Sequence, residues 1–271
     1  MFYASDEALT ASRNLPVMPR NPTAIDRIFR HVSEGNSERA WLAEEHGQVV
    51  GFGMAIEREA LTFLAFLFVR PDAQAAGLGA ALYERCMPAT GYRGTCIWSV
   101  QPISAALYAR NGLVPRVPMY TLISRPSHAL PPPRDGLLLT PIDQAEIDEL
   151  DREIVGFARS VDHEAWQRWE RRPFALRNGS QLVGYGYAQP AGRLGPAVVR
   201  NSEDLLPLVG ALMEQIEPVE EWMVHVPGVA AVPFAALLEA GMRFDGPPII
   251  FCATQPGIDH SRYLPATFAL P

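Results

Sequence analysis

The chain has 271 residues, 48% of them hydrophobic and 20% charged, with a formal net charge of −7. This profile is globular and excludes a fibrous or disordered chain. The acidic balance also excludes indiscriminate nucleic-acid binding, which needs clustered Lys and Arg to neutralise phosphates.

In chain order, residues 1–20 offer acids and no apolar h-region, so no secretory signal is expected. A first strand is not legible there either. Ile25, Ile28, Phe29 and Val32 recur at helical spacing behind Asn21-Pro22. Residues 40–43 and 49–56 are apolar runs split by Glu-Glu-His-Gly-Gln, the pattern of a hairpin. The longest apolar run, residues 61–69, is interrupted by Thr62 and is too short to span a bilayer, so it reads as a buried strand. A helix over 77–87, a strand over 95–100, a short helix over 104–110 ended by Asn111-Gly112, and a strand over 119–124 complete the first half.

Residues 124–136 hold four prolines with Ser, Asp and Gly, which reads as a linker. The expected division is residues 1–124, a Pro-rich linker 125–136, and residues 137–271. The second half repeats the order faintly. Helices are expected over 142–151, 163–171, 203–216 and 232–240, and strands over 181–189, 192–199, 221–226 and 248–253. The fold class implied is α/β with a mixed sheet, present twice.

The informative segment is Phe68-Val69-Arg70-Pro71-Asp72-Ala73-Gln74-Ala75-Ala76-Gly77-Leu78-Gly79-Ala80. A buried strand ends at Pro71, which cannot continue a ladder, and a loop of small residues leads into a helix. The first N–H groups of that helix lack internal partners and, with the helix dipole, suit a pyrophosphate. No acid lies between Ala73 and Tyr83. A Rossmann fingerprint would need a glycine at Leu82, and a P-loop would need Lys and Ser or Thr where Ala80 and Ala81 stand. Read alone, the segment also fits a glycine-rich turn without a ligand.

Val69, Pro71, Gln74, Gly77 and Gly79 resemble motif A of the GNAT superfamily, V-x-P-x-x-(Q/R)-x-x-G-x-(G/A). A second segment, Ser104-Ala105-Ala106-Leu107-Tyr108-Ala109-Arg110-Asn111-Gly112-Leu113, is similar to the end of its motif B. Gln101 and Leu113 depart from the usual Asn and Phe. The resemblance implies two tandem GNAT-like domains and an N-acetyltransferase using acetyl-CoA. It implies that the backbone of Gln74, Ala75, Ala76, Gly77, Leu78, Gly79 and Ala80 holds the pyrophosphate. Phe68 and Val69 would pair with the pantetheine arm, and Tyr108 would protonate the departing thiolate. A phenol, with a pKa of about 10, is protonated at neutral pH and can do this.

The implied acceptor is a small-molecule amine or a peptide, with neither nucleic acid nor membrane as partner and a homodimer among the open assemblies. The rival reading is a silent CoA-binding sensor or scaffold. Glu44, Glu45, Glu57 and Glu59 are the candidate bases, each also readable as a solvated hairpin charge. Cys86, Cys96 and Cys252 form no CxxC pair, so a reducing cytoplasm is expected. The six histidines lack metal-ligand spacing. Trp166 and Trp169 read as one packed helix face, and Arg168, Arg171 and Arg172 as a solvated basic face.

In the second half, Ser202 reads as an N-cap, the loop glycines are missing, and Glu203 and Asp204 oppose a phosphate. Leu238 stands where Tyr108 would be. This half therefore reads as a degenerate copy.

Overall fold

A computed structural model describes residues 22–74, 77–140, 142 and 144–271. The expected site residues Ala75 and Ala76, and the place where a first strand was sought, lie outside these residues. The described elements fall into two compact units. One comprises Met1–Pro115 with Phe251–Gln255, the other Arg116–Ile250 with Pro256–Pro271.

In the first unit, helix α1 (Pro22–Glu34) precedes the antiparallel strands β1 (Ala40–Glu45), β2 (Gln48–Arg58) and β3 (Leu61–Val69). Helix α2 (Leu78–Cys86), strand β4 (Tyr92–Trp98) and helix α3 (Pro102–Arg110) follow. The turn between β1 and β2 is His46-Gly47, both at positive φ. The strand order is β1-β2-β3-β4-β12, where β12 (Ile249–Ala253) arrives from the far end of the chain. Thr254 N–H donates to the Arg93 carbonyl and Thr254 Oγ1 accepts from Arg93 N–H, both at 3.0 Å. Phe251 is 3% exposed and its ring stacks on Phe63 at 6.4 Å. A Cβ on Gly94 would stand 3.2 Å from Phe63 and 3.4 Å from Phe251, so the glycine makes room for both rings.

The second unit repeats this plan with the mirror exchange. Strand β5 (Val114–Ser124) belongs to it from Arg116 onward and pairs antiparallel with β10 (Trp222–Pro227). The order is β6 (Leu137–Thr140), β7 (Arg172–Asn178), β8 (Gln181–Ala188), β9 (Arg193–Val199), β10, β5. Two-residue strands β11 (Arg243–Phe244) and β13 (Tyr263–Leu264) add to β5 and β9. The helices are α4 (Gln144–Ile154), α5 (Ser160–Arg168), α6 (Leu205–Gln215) and α7 (Ala231–Glu239).

The structure therefore corrects the division expected at residue 124. Each half gives its last strand to the other unit. The Pro-rich segment is no free linker either. Arg125 donates to the carbonyls of Pro218 and Glu220, Ser127 N–H to Ala240 O at 2.7 Å, and Leu130 is buried in the second unit's core.

Two further expectations fail. Arg171 is not on a solvated face: it is 5% exposed and donates to the carbonyls of Gly195 and Ala266. Arg168 does face solvent, beside Glu164. Trp166 is fully buried, whereas Trp169 has left the helix as its C-cap.

The second unit also encloses a polar cluster that composition gives no hint of. Asp151, Arg159 and His163 are each 0% exposed. Arg159 meets both Asp151 oxygens at 2.9 Å and donates to Tyr185 Oη at 2.7 Å. His163 bridges Asp151 and Tyr187 at 2.9 and 2.8 Å. Burial pushes the Asp151 carboxyl up, but Arg159 and His163 outweigh it and hold it below the usual carboxylate range.

Two stability predictions follow from this packing. Phe251→Ala is expected to destabilise the protein by about 3–5 kcal/mol, the cost of a lost core aromatic, in urea unfolding. Asp151→Asn leaves Arg159 buried with half its partner and is expected to cost about 3–5 kcal/mol at pH 7. Because the folded Asp151 pKa is depressed, its contribution is complete above the unfolded value of about 3.9 and is lost as pH falls through the folded value. The difference between wild type and Asp151→Asn should therefore persist at pH 5 and shrink below pH 4.

Candidate active site

The site is built on a ladder that stops early. On one side β3 pairs with β2 along its length, from Leu61↔Arg58 to Val69↔Gly51. On the other side it pairs parallel with β4 only from Leu61↔Tyr92 to Leu64↔Thr95. Both strands continue, β3 for five residues to Val69 and β4 for three to Trp98. The register against β2 shifts immediately after that last pair: Ala55 faces Leu64 and Met54 faces Phe66, leaving Ala65 as the extra residue. A bulge bends its strand and increases the local twist, which turns β3 away from β4. A fork results, with residues 65–69 as one wall.

The two faces of that wall differ. Gly51 and Gly53, opposite Val69 and Leu67, let α2 sit directly on the sheet: a Cβ on Gly53 would be 2.7 Å from Cys86 Sγ, and one on Gly51 3.0 Å from Leu82. The other face is aromatic. Phe52 stacks on Phe68 at 5.4 Å, and Phe29 of α1 meets Phe66 edge-on at 4.6 Å.

At the mouth of the fork the chain turns through Pro71–Ala73. Gln74 Nε2 donates to the Val69 carbonyl at 3.0 Å, tying the loop to the strand end. Gly77 is the N-cap of α2 with φ 79°, a conformation that glycine adopts at little cost. The first intrahelical bond runs from Ala81 N–H to Gly77 O, so Leu78, Gly79 and Ala80 carry the N–H groups ahead of the ladder. Gly77 has open space where a side chain would stand, and at Gly79 the nearest atom would be Val69 Cγ2 at 3.9 Å. Asp72, in this turn, is paired with Arg70 at 2.6 Å.

Tyr108 comes to the crotch of the fork from α3. That helix starts on Pro102 and ends at Asn111-Gly112, where Leu113 N–H donates to Tyr108 O. The Tyr108 side chain is 5% exposed, and its ring lies 6.1 Å from Tyr83 of α2. Thr95, in the last β3–β4 pair, donates to Leu64 O at 2.9 Å. Burial pushes the Tyr108 phenol well up and nearby Cys252 adds to this, while a hydrogen bond with Thr95 pulls it down by less. Burial also lifts the Cys86 and Cys252 thiols, each to about 11, and raises Cys96 further. Thiols held neutral in this way are poor nucleophiles.

The four glutamates are not gathered at the crotch, which faces Ala55 across β2. Glu57 lies opposite Thr62, in the closed part of the ladder, and is paired with Arg39. Glu59 is in the following turn at φ 41°. Glu44 and Glu45 are exposed at the β1–β2 turn.

The second unit keeps the frame of this site and changes its chemistry. Ser202 is not the N-cap of α6. It opens a single 3-10 turn, Ser202–Asp204, and the N-cap is Asp204. Asp204 is 0% exposed and takes two bonds from Arg134, at 3.0 and 2.9 Å. Sequence reading missed Arg134 because it lies 70 residues away in the Pro-rich segment. Helix α7 ends at Ala240-Gly241, where Met242 N–H donates to Leu237 O as Leu113 N–H does to Tyr108 O, so the residue in the position of Tyr108 is the buried Leu237 and not the expected Leu238.

Among the described residues no helix is long and apolar enough to cross a membrane. Residues 36–114 match the family model of the acetyltransferase (GNAT) domain. No curated protein sequence matches the chain. Among solved structures, a putative acetyltransferase from Pyrococcus horikoshii is 16% identical, with 99% of this chain and 92% of that one covered and a TM-score of 0.75. A tandem GNAT protein from the clavulanic acid biosynthesis pathway is 15% identical, with 94% of each chain covered and a TM-score of 0.58. A GCN5-related N-acetyltransferase from Sphaerobacter thermophilus is 16% identical, with 88% and 94% covered and a TM-score of 0.55. Residues 36–114 thus match the model of the GNAT acetyltransferase domain, and the chain as a whole shares its fold with these solved structures, a tandem GNAT protein among them.

Proposed function

We propose that the first unit transfers an acetyl group from acetyl-CoA to a primary amine, of a small molecule or of a protein N-terminus or lysine. The observation that carries this reading is the fork between β3 and β4 with a glycine-capped helix at its mouth. An extended pantetheine can add to residues 65–69 as a strand, and the pyrophosphate then meets the N–H groups of Leu78, Gly79 and Ala80.

In this reading the amine attacks the thioester carbonyl directly. The C–N bond forms, the carbonyl oxygen takes negative charge beside β3 main-chain N–H groups near Val69, and the C–S bond then breaks. Tyr108 gives its proton to the departing thiolate and regains one from water after each turnover, a role favoured by its place at the crotch; its raised pKa keeps the phenol protonated but weakens it as an acid. The amine's surplus proton passes to water, since none of the four candidate carboxylates lies beside the crotch. The neutral cysteines argue against an acyl-enzyme intermediate. The second unit is a degenerate copy, with a carboxylate pair where the first has glycines and Leu237 where the first has Tyr108.

A silent CoA-binding protein is the second reading, and the deep burial of Tyr108 is what favours it. Tyr108→Phe separates the two. An enzyme should lose about 10²–10⁴-fold in kcat with acetyl-CoA affinity unchanged, whereas a sensor has no turnover in either form. The wild-type kcat should also show no alkaline limb from the phenol below about pH 10. Gly79→Val places its side chain in space open in the free protein. It should leave the melting temperature nearly unchanged and weaken acetyl-CoA at least about tenfold by calorimetry, or about 1.4 kcal/mol. Unchanged affinity would remove the pyrophosphate site from α2.

A further inference from the structure

The second unit contains the same fork, and the chain itself fills it. Strand β9 pairs parallel with β10 at Met223↔Arg193 and Val224↔Leu194, then runs five residues on to Val199, as β3 runs five residues past Leu64. The neighbouring strand repeats the same glycine pattern. Gly184, Tyr185 and Gly186 face Val199, Val198 and Ala197, as Gly51, Phe52 and Gly53 face Val69, Phe68 and Leu67. A Cβ on Gly186 would collide with Leu212 of α6 at 2.5 Å, the counterpart of Gly53 against α2. Val198 and Val199 therefore stand where Phe68 and Val69 stand in the first fork.

At those positions β9 is already paired. Val198 faces Tyr263 and Ala197 faces Leu264 in an antiparallel ladder, and Val199 N–H donates to Arg262 O at 3.0 Å. Tyr263 and Leu264 are both 0% exposed. The strand is fastened along its length. Tyr263 Oη accepts from Arg159 at 3.0 Å, Arg262 donates to Arg200 O at 3.0 Å, and Ala266 O accepts from Arg171 at 3.1 Å. Gly195, at φ 102°, lets the segment pass: a Cβ there would be 2.8 Å from Pro265 O. At the helix that would receive a pyrophosphate, the N-cap is Asp204, whose buried carboxylate is neutralised by Arg134 and takes no cap bond from the helix N–H groups.

We propose that the second unit is a CoA-type slot occupied by its own chain. Residues 262–264 take the place of a pantetheine arm along β9, and the Asp204–Arg134 pair takes the place of the pyrophosphate, so this slot accepts no nucleotide cofactor. The comparison of the slots rests on reading the first fork as the acetyl-CoA site.

The test is hydrogen–deuterium exchange of the full chain with and without saturating acetyl-CoA. In the free protein, amides of residues 197–199 and 262–264 should exchange at core rates, far slower than those of residues 65–69. Acetyl-CoA should then protect peptides spanning residues 65–80 about tenfold or more and leave 195–205 and 260–266 unchanged. Fast exchange of 262–264 in the free protein, or a ligand-dependent change in 195–205, would overturn the proposal. If residues 65–80 alone failed to respond, the reading of the first fork would fall. The free-protein protection of 262–264 would still decide whether the tail is seated. A calorimetric titration should give one acetyl-CoA per chain, and two sites would also overturn the proposal.

Discussion

The chemistry proposed for the first unit depends on where one hydrogen-bond ladder ends. Two parallel strands that stayed paired would bury every main-chain group between them, and no ligand could add to either. The extra residue at Ala65 bends β3 just past the Leu64↔Thr95 pair, and the strands part. Every later feature is placed by that parting. The strand end delivers Gln74 and Gly77 to the mouth, α2 is seated over Gly51 and Gly53, and Tyr108 reaches the crotch beside Thr95.

The same parting in the second unit has a different outcome. There a pair of main-chain edges is opened and then closed again by residues 262–264. The electrostatics are inverted as well. Glycines leave the first helix N-terminus open to an anion, whereas the second receives a fixed carboxylate from Asp204, which favours the helix dipole and repels a phosphate. The polar cluster around Asp151 and Arg159 belongs with this closure, since Arg159 holds both Asp151 and the tail's Tyr263. Charges so deeply buried are tolerable only because each has its partners.

Local physics made much of this legible. The run at residues 61–69 was delimited correctly because Pro71 ends its ladder and no polar residue but Thr62 interrupts it. The glycines of the motif segment signalled the turn that Gly77 makes at positive φ. Strand β7 was missed because Arg172, Pro173 and Arg177 mask its alternation, and β6 because four residues carry no period. The exchange of β5 and β12 was invisible for a different reason. Nothing in a strand's own residues says which sheet it joins. Arg171 read as a surface charge because its partners are carbonyls, which leave no mark on a sequence.

The exchange also sets an order of events during synthesis. The first unit holds residues up to Pro115 but closes its sheet only with Phe251–Gln255. At a translation rate of about 5–20 residues per second, β4 waits roughly 7 to 28 seconds after Pro115 is made before its neighbour exists. Throughout that interval β4 presents an unpaired edge, the feature that most readily recruits a foreign strand. The usual sequence, in which an N-terminal domain folds while the rest is still being made, is closed to this chain. The first unit's sheet is completed only once the residues up to Gln255, and with them nearly all of the second unit, have been made.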